Sequence, residues 1–338
     1  MNIAGIRVHV ESDWSELLAV LEKDFWSFHS RDFLDSSKAD LSLKIYKTLQ
    51  APPLPEISTS MQSQNSLSYD VGHIRYNDYY GKAYTVINFQ SESAAIYGLD
   101  LDKIHEIAYL LILSRVGKIL DLKGLHKLHA FAVSFNNTAF VCMMPSKGGK
   151  SSLLSELLSD PRIKMLSDDI PLVDKQGRVY PFPLKLGFNE IPKNLKVFNP
   201  EENLYTMKRE LYGEKKLICT RGIENKIEKK EYFEKVILVE GFRYNSESSC
   251  VLSSSWLQSF KGLLVHGVIG IGSPIVIEYF WETGIRDFIR KTWIFFKRLK
   301  AFFLLCFKAK KFKIHIGKDQ HMLTRIVVEL LEKETTIK

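Results

Sequence analysis

A lysine and a hydroxyl placed directly after a glycine turn can bind phosphate, and residues 145–152, PSKGGKSS, offer that arrangement. Residues 138–143, TAFVCM, carry β-branched and aromatic side chains and no charge, which predicts a short buried strand. Pro145 and Gly148-Gly149 break it. Lys150 then opens a helix in which Leu153, Leu154, Leu157 and Leu158 recur at helical spacing. In a strand–turn–helix of this kind, successive N–H groups form an anion nest, and the helix start adds partial positive charge. Glycines without a Cβ let backbone and phosphate approach closely. Phosphate binding is therefore expected at Pro145, Ser146, Lys147, Gly148, Gly149, Lys150, Ser151 and Ser152. The Lys150 ammonium would reach the β- and γ-phosphates of ATP, and the Ser151 hydroxyl would hold Mg²⁺. The strict pattern wants glycine at 144, where this chain has Met144. The plainer alternative is a solvated turn with a basic tip.

Two carboxylates and a histidine stand nearby in sequence. Asp168-Asp169 close a second apolar run, residues 163–166, and precede another strand at 170–173 and a hairpin signal at 174–177. Adjacent carboxylates at a strand end suit metal binding and proton abstraction; an acidic pair in a turn is otherwise simply solvated. His129 precedes the TAFVCM strand by nine residues and, taken alone, reads as a structural histidine.

His129-Ala130, the strand, PSKGGKS, then LSDD and a hairpin resemble, in that order, the catalytic core of the HPr serine kinase/phosphorylase family. The likeness is closer to bacterial relatives without the phosphorylase signature, including kinases found beside lasso-peptide and other modification genes. It covers residues 125–190 well and the rest by general layout. It implies catalytic roles for Asp168, as base toward an acceptor hydroxyl, for His129, close to the phosphates, and for Lys150. It implies a metal site at Asp169 and Ser151. Met144 and Lys147 stand where that family has glycines. The later motif used for the reverse reaction has no clear match, so phosphorolysis is not expected.

At 338 residues, with 45% apolar and 25% charged residues, the chain can bury a sizeable core. The first residues, MNIAGIRVHVESDW, lack a basic segment followed by an apolar run, so no secretory signal is expected. Cys142, Cys219, Cys250 and Cys306 show no C-x-x-C spacing, which suits reduced thiols and argues against zinc. Residues 262–277 come nearest to a membrane span, but further glycines, Ser273 and Pro274 interrupt them, and buried strands or a β-hairpin are expected there.

The remaining elements must position these groups. Strand-like runs are expected at 3–10 and 41–45, with a helix at 14–28 capped by Ser12 or Asp13. Residues 51–67 read as a loop. Runs at 71–76 and 83–88 flank a hairpin at 77–81, whose dense tyrosines suit a sheet face better than a ligand platform. Residues 101–121 form the strongest helix expectation outside the core, ended by Gly124, with His105 structural. Residues 179–188 suggest an edge strand, 192–230 surface loops or a segment covering the substrate, 236–239 a strand, and 319–334 an amphipathic helix.

One stretch is anomalous in charge. Residues 286–313 carry ten Lys or Arg against one acid, Asp287, a net of +9 in a chain of +8. Phe288, Trp293, Phe295, Phe296, Phe302 and further phenylalanines interleave with them. A basic, aromatic helix reads as a surface for an anionic membrane or an acidic partner; the alternative is a packed helix with snorkelling cations. Nucleic acid is not expected, since no binding motif accompanies the charge.

The expected fold is α/β: a nucleotide-binding P-loop core of the HPr kinase type at 125–338, with a smaller α+β region at 1–124. The expected function is an ATP- and Mg²⁺-dependent kinase acting on a hydroxyl of a protein, peptide or small molecule, in the cytoplasm or peripheral to the inner face of its membrane. A P-loop ATPase and a nucleotide-binding regulatory module are the alternatives. The acceptor stays open, as do the nucleotide preference and the oligomeric state, a homo-oligomer included.

Overall fold

Alternation of apolar and polar residues builds the first half of the chain. In LSLKIY, Leu41, Leu43 and Ile45 are buried and the residues between them face outward, the period-two pattern of a half-buried strand. A computed structural model describes residues 1–29, 38–145, 148–209, 213–269, 276–282 and 284–336. Its architecture is mixed α/β, in two compact units. The first comprises Met1–Leu120, Thr206–Lys215 and Pro274–Thr292; the second comprises Asp121–Tyr205, Lys216–Ser273 and Trp293–Lys338. The two later segments of the first unit lie far along the chain from residues 1–124.

The first unit holds β1 (Asn2–Ile3), β2 (Ile6–Ser12), α1 (Ser15–Asp24), β3 (Leu41–Tyr46), β4 (Met61–Gln62), β5 (Leu67–Val71), β6 (Ile74–Asp78), β7 (Ala83–Asn88), β8 (Ser93–Gly98) and most of α2 (Leu101–Lys123). The strands form one sheet in the order β1-β2-β3-β8-β7-β6-β5-β4. Two expectations are corrected here. The run 71–76 is not one strand, because Gly72, at φ 60°, turns the chain between β5 and β6. Neither Ser12 nor Asp13 caps α1: Ser12 Oγ accepts from Trp14 N–H, and Asp13 accepts from Lys47 N–H. His105 is buried, with its Nε2 2.6 Å from Asp24.

The chain continues through β9 (Leu125–Lys127), β10 (Phe131–Phe135), β11 (Thr138–Met143), α3 (Lys150–Leu157), β12 (Lys164–Ser167), β13 (Leu172–Asp174), β14 (Val179–Tyr180), β15 (Leu186–Phe188), α4 (Pro200–Asn203), β16 (Leu204–Arg209), β17 (Gly213–Ile218) and β18 (Val236–Arg243). It ends with β19 (Cys250–Ser253), α5 (Trp256–Leu263), α6 (Ile277–Phe280), α7 (Ile285–Lys308), β20 (Lys310–Ile316) and α8 (Gln320–Thr336). The core sheet of the second unit runs β12-β10-β11-β18-β20-β19. Strands β11, β18 and β20 are mutually parallel, β10 is antiparallel to β11, and β12 is antiparallel to β10. Hence β11, β12, β18 and β20 all end at one edge of the sheet, and β10 starts there.

Each face of that sheet carries its own core. Leucines of α3 and α8 cover one, with Phe131, Phe140 and Ile237; Ala301, Phe302 and Leu305 of α7 cover the other, with Val141 and Leu238. Two more expectations are corrected. Residues 262–269 are not strands: α5 runs into a π-helical turn at Leu264–Ile269. Glycines let it pack, since a Cβ at 262 would lie 3.0 Å from the Glu240 carboxyl carbon and one at 267 would lie 2.6 Å from Phe302. The basic stretch 286–313 is not one helix, because α7 stops at Lys308 and Lys310 opens β20, which lies between β18 and β19. Among the described residues, no helix is long and apolar enough to cross a membrane.

Candidate functional site

Lys150 is the first residue of α3, and the turn before it is tight. Gly148 N–H donates to Pro145 O at 2.9 Å, and a Cβ on Gly148 would lie 2.8 Å from that oxygen. Gly149 sits at φ 96°, in the left-handed region where a side chain is strained. Ser146 and Lys147 lie outside the described residues. Pro145 and Ser152 are exposed, and Ser151 is half-buried in the first turn of α3. Met144 does not obstruct this turn. Its side chain is buried in the core, and Gly241 of β18 leaves room for it, a Cβ there falling 2.9 Å from Met144 Cγ.

Strand direction brings the other groups to Lys150. Because β12 runs the same way as β11, Asp168-Asp169 emerge at the edge where β11 delivers the glycine turn. Ile170 N–H donates to Ser167 Oγ at 3.0 Å and closes the turn that carries the pair. Ala130 N–H donates to Asp169 O, and Leu128 N–H to Pro171 O, each at 3.0 Å. His129, held between those two bonds, faces the same edge.

The side chains meet there. Lys150 Nζ lies 2.7 Å from His129 Nε2 and 2.7 Å from Asp169 Oδ1, and His129 Nδ1 is 3.2 Å from that same oxygen. An ammonium can only donate, so its contact with Nε2 suits a neutral ring that accepts there and carries its proton on Nδ1. Burial, more than any charge, lowers the His129 pKa to about 4; Asp169 opposes that shift, and Lys150 and His266 add to it. His129 is therefore neutral at pH 7. Asp168 is half-buried in the same turn as Asp169.

Two residues of this region escaped the sequence reading. His266, on the π-helical turn, stacks on His129 with centroids 5.8 Å apart, and its carbonyl accepts from His129 N–H at 3.1 Å. Its Nδ1 is buried and has no hydrogen-bond partner among the described residues. Burial, then the Lys150 charge, lowers its pKa. Single π-turns of this kind are frequent at functional sites, but nothing local in LLVHGVIG marks one. Glu240 ends the apolar run of β18, register-paired with Met143. Burial raises its carboxyl above the ordinary range, and Lys313 and Lys261 oppose the shift. A lone acid closing VILVE was a readable signal.

The arrangement gathers one cation, one carboxylate and a neutral histidine at the start of a helix, with Asp168 on the same turn as Asp169. Such a set can hold an anion against the helix N-terminus and accept a proton beside it. Carboxylate and hydroxyl oxygens at Asp169 and Ser151 are the hard donors that Mg²⁺ takes. No protein-family model matches the chain, and no curated protein matches it either.

Proposed function

We propose that the chain is an ATP-dependent kinase that transfers the γ-phosphoryl group to a hydroxyl. The supporting observation is the three-way contact of Lys150, at the first residue of α3, with His129 and Asp169. Phosphoryl transfer asks the protein mostly for positioning and charge stabilisation. Lys150 would donate to the β- and γ-phosphates, and the glycine turn would give them backbone N–H groups. His129, neutral and braced by His266, would keep the ammonium aimed at the phosphates without adding a competing charge. Asp168 would accept the proton of the acceptor hydroxyl as its oxygen bonds to the γ-phosphorus. The bond from that phosphorus to the bridging oxygen breaks, and ADP leaves with the electron pair. Asp169 and Ser151 would hold Mg²⁺, which when bound neutralises charge on the phosphates.

The test is incubation of the purified chain with γ-labelled ATP, Mg²⁺ and fractionated cell extract, with a Lys150→Ala variant as control. Label should move to one size class of acceptor with the parent protein and not with the variant. ATP consumption without transfer to any fraction would favour an ATPase. No binding or consumption of ATP would overturn the reading.

A further inference from the structure

Helix α7 carries two apolar stripes, and among the described residues only one is buried in the fold. Ala301, Phe302, Leu305 and Cys306 are buried against the sheet, and Ile294 is buried on the same side of the helix. On the opposite side Trp293, Phe296 and Phe307 stay 61%, 57% and 70% exposed, joined by Phe303. The spacing 293, 296, 300, 303, 307 keeps them in one line along the helix, with Lys300 among them. Helix α5 widens the patch. Trp256 and Phe260 stack on each other and meet Phe303 edge-on, and Leu257 beside them is 70% exposed. A second full row of large rings in water has no role in the core, and patches of this kind mark interaction surfaces.

The charge around the patch narrows the occupant. Lys261 and Lys300 are exposed, and Lys297 lies over the Trp293 ring at 5.6 Å. Arg298 does not belong to this surface: it is buried, with its guanidinium on Asp121. A second copy of the chain would bring the same cations against these and be repelled. Rings beside snorkelling lysines on one helix face suit an anionic lipid surface, where the rings enter the headgroup boundary and the ammonium groups meet phosphate and carboxylate headgroups. We infer that the outer face of α7, from Trp293 to Phe307, with Leu257 of α5, docks on an anionic bilayer. This does not depend on the kinase reading.

Flotation of the full chain tests it, with vesicles of phosphatidylserine and phosphatidylcholine against vesicles of phosphatidylcholine alone, at low and high salt. The chain should float with the anionic vesicles at low salt and bind the neutral ones far less. Lys261→Glu with Lys300→Glu should weaken binding at least about 25-fold, since each cation near the surface contributes about a fivefold factor. Trp293→Ser with Phe296→Ser and Phe307→Ser should remove the part that survives high salt. Melting of each variant beside the parent separates loss of binding from loss of fold, since these side chains are exposed and Lys261 also faces the Glu240 charge. Absence of flotation at low salt overturns the proposal. So does equal binding by parent and variants, or concentration-dependent dimerisation that the serine variant abolishes while vesicle binding is absent.

Discussion

His129 and His266 stack with ring planes 24° from parallel and centroids 5.8 Å apart. Burial lowers both pKa values, and the Lys150 charge pushes them the same way. Two imidazolium rings at this separation would repel each other, so the stack belongs to the neutral forms. Among the described residues that meet at Lys150, the charges at neutral pH are then its ammonium and the Asp169 carboxylate.

Lys150→Ala removes the cation from the start of α3. Turnover of ATP should fall below detection, at least about 10²–10³-fold, the loss seen when one preorganised donor is deleted. The fold should hold, since the partner Asp169 is one-third exposed at 35% and water can replace the ammonium. Normal turnover in a folded variant would remove the phosphate assignment.

Asp168→Asn keeps the shape of the turn and removes a proton acceptor. Phosphoryl transfer should drop roughly 10²–10⁴-fold while calorimetry still detects nucleotide binding. Loss of binding as complete as the loss of transfer would make Asp168 a metal or structural residue instead.

The depressed His129 pKa makes stability depend on acid. Its folded value of about 4 lies below the ordinary histidine value of 6.5. The unfolded chain therefore binds the extra proton first. The contribution is fully present above about pH 6.5 and is lost as pH falls toward 4, to a total of about 3 kcal/mol. Urea unfolding of the parent and of His129→Gln at pH 7.5, 5.5 and 4.5 should show a gap in midpoint that narrows with acid. A gap independent of pH would mean that His129 does not titrate in this way.

Asp121 is buried between two partners. Arg298 reaches it at 3.0 and 2.5 Å, and His126 Nδ1 at 2.8 Å. Asp121→Ala leaves the arginine charge buried and unpaired, which should cost about 3–5 kcal/mol. Asp121→Leu with Arg298→Leu should recover part of that, because the arginine charge is gone, while buried Lys127 and His126 still lose the Asp121 carboxylate. Chemical denaturation of the three proteins checks both figures, and an Asp121→Ala variant as stable as the parent would show that the pair carries no net stability.

The strand and helix that flank the candidate site were legible because local pattern fixes them: TAFVCM reads as a strand, and Lys150 opens a helix after glycines. That His129 and Asp169 meet Lys150 followed in structure from strand direction, which one sequence does not state. His266 was out of reach. Val, Ile and Gly in 262–277 favour strands by propensity, yet Gly262 and Gly267 are there to admit Glu240 and Phe302 to a helical turn. Likewise Lys310, Lys311 and Lys313 read as more of the basic helix, whereas pairing with β18 makes them part of an inner strand.

Lys150 is held on two sides by protein groups, His129 Nε2 and Asp169 Oδ1. A lysine side chain loses roughly 1.5–2 kcal/mol of rotamer freedom when it is fixed. Here that ordering accompanies folding of the chain, so a phosphate bound as proposed would meet an ammonium whose four-carbon stem is already set. An ammonium has three N–H donors, so its contacts with His129 and Asp169 leave donor capacity for an anion. Shortening the stem by one carbon would leave the charge in place and undo the bracing. The loss would then appear in the entropy of phosphate binding more than in its enthalpy.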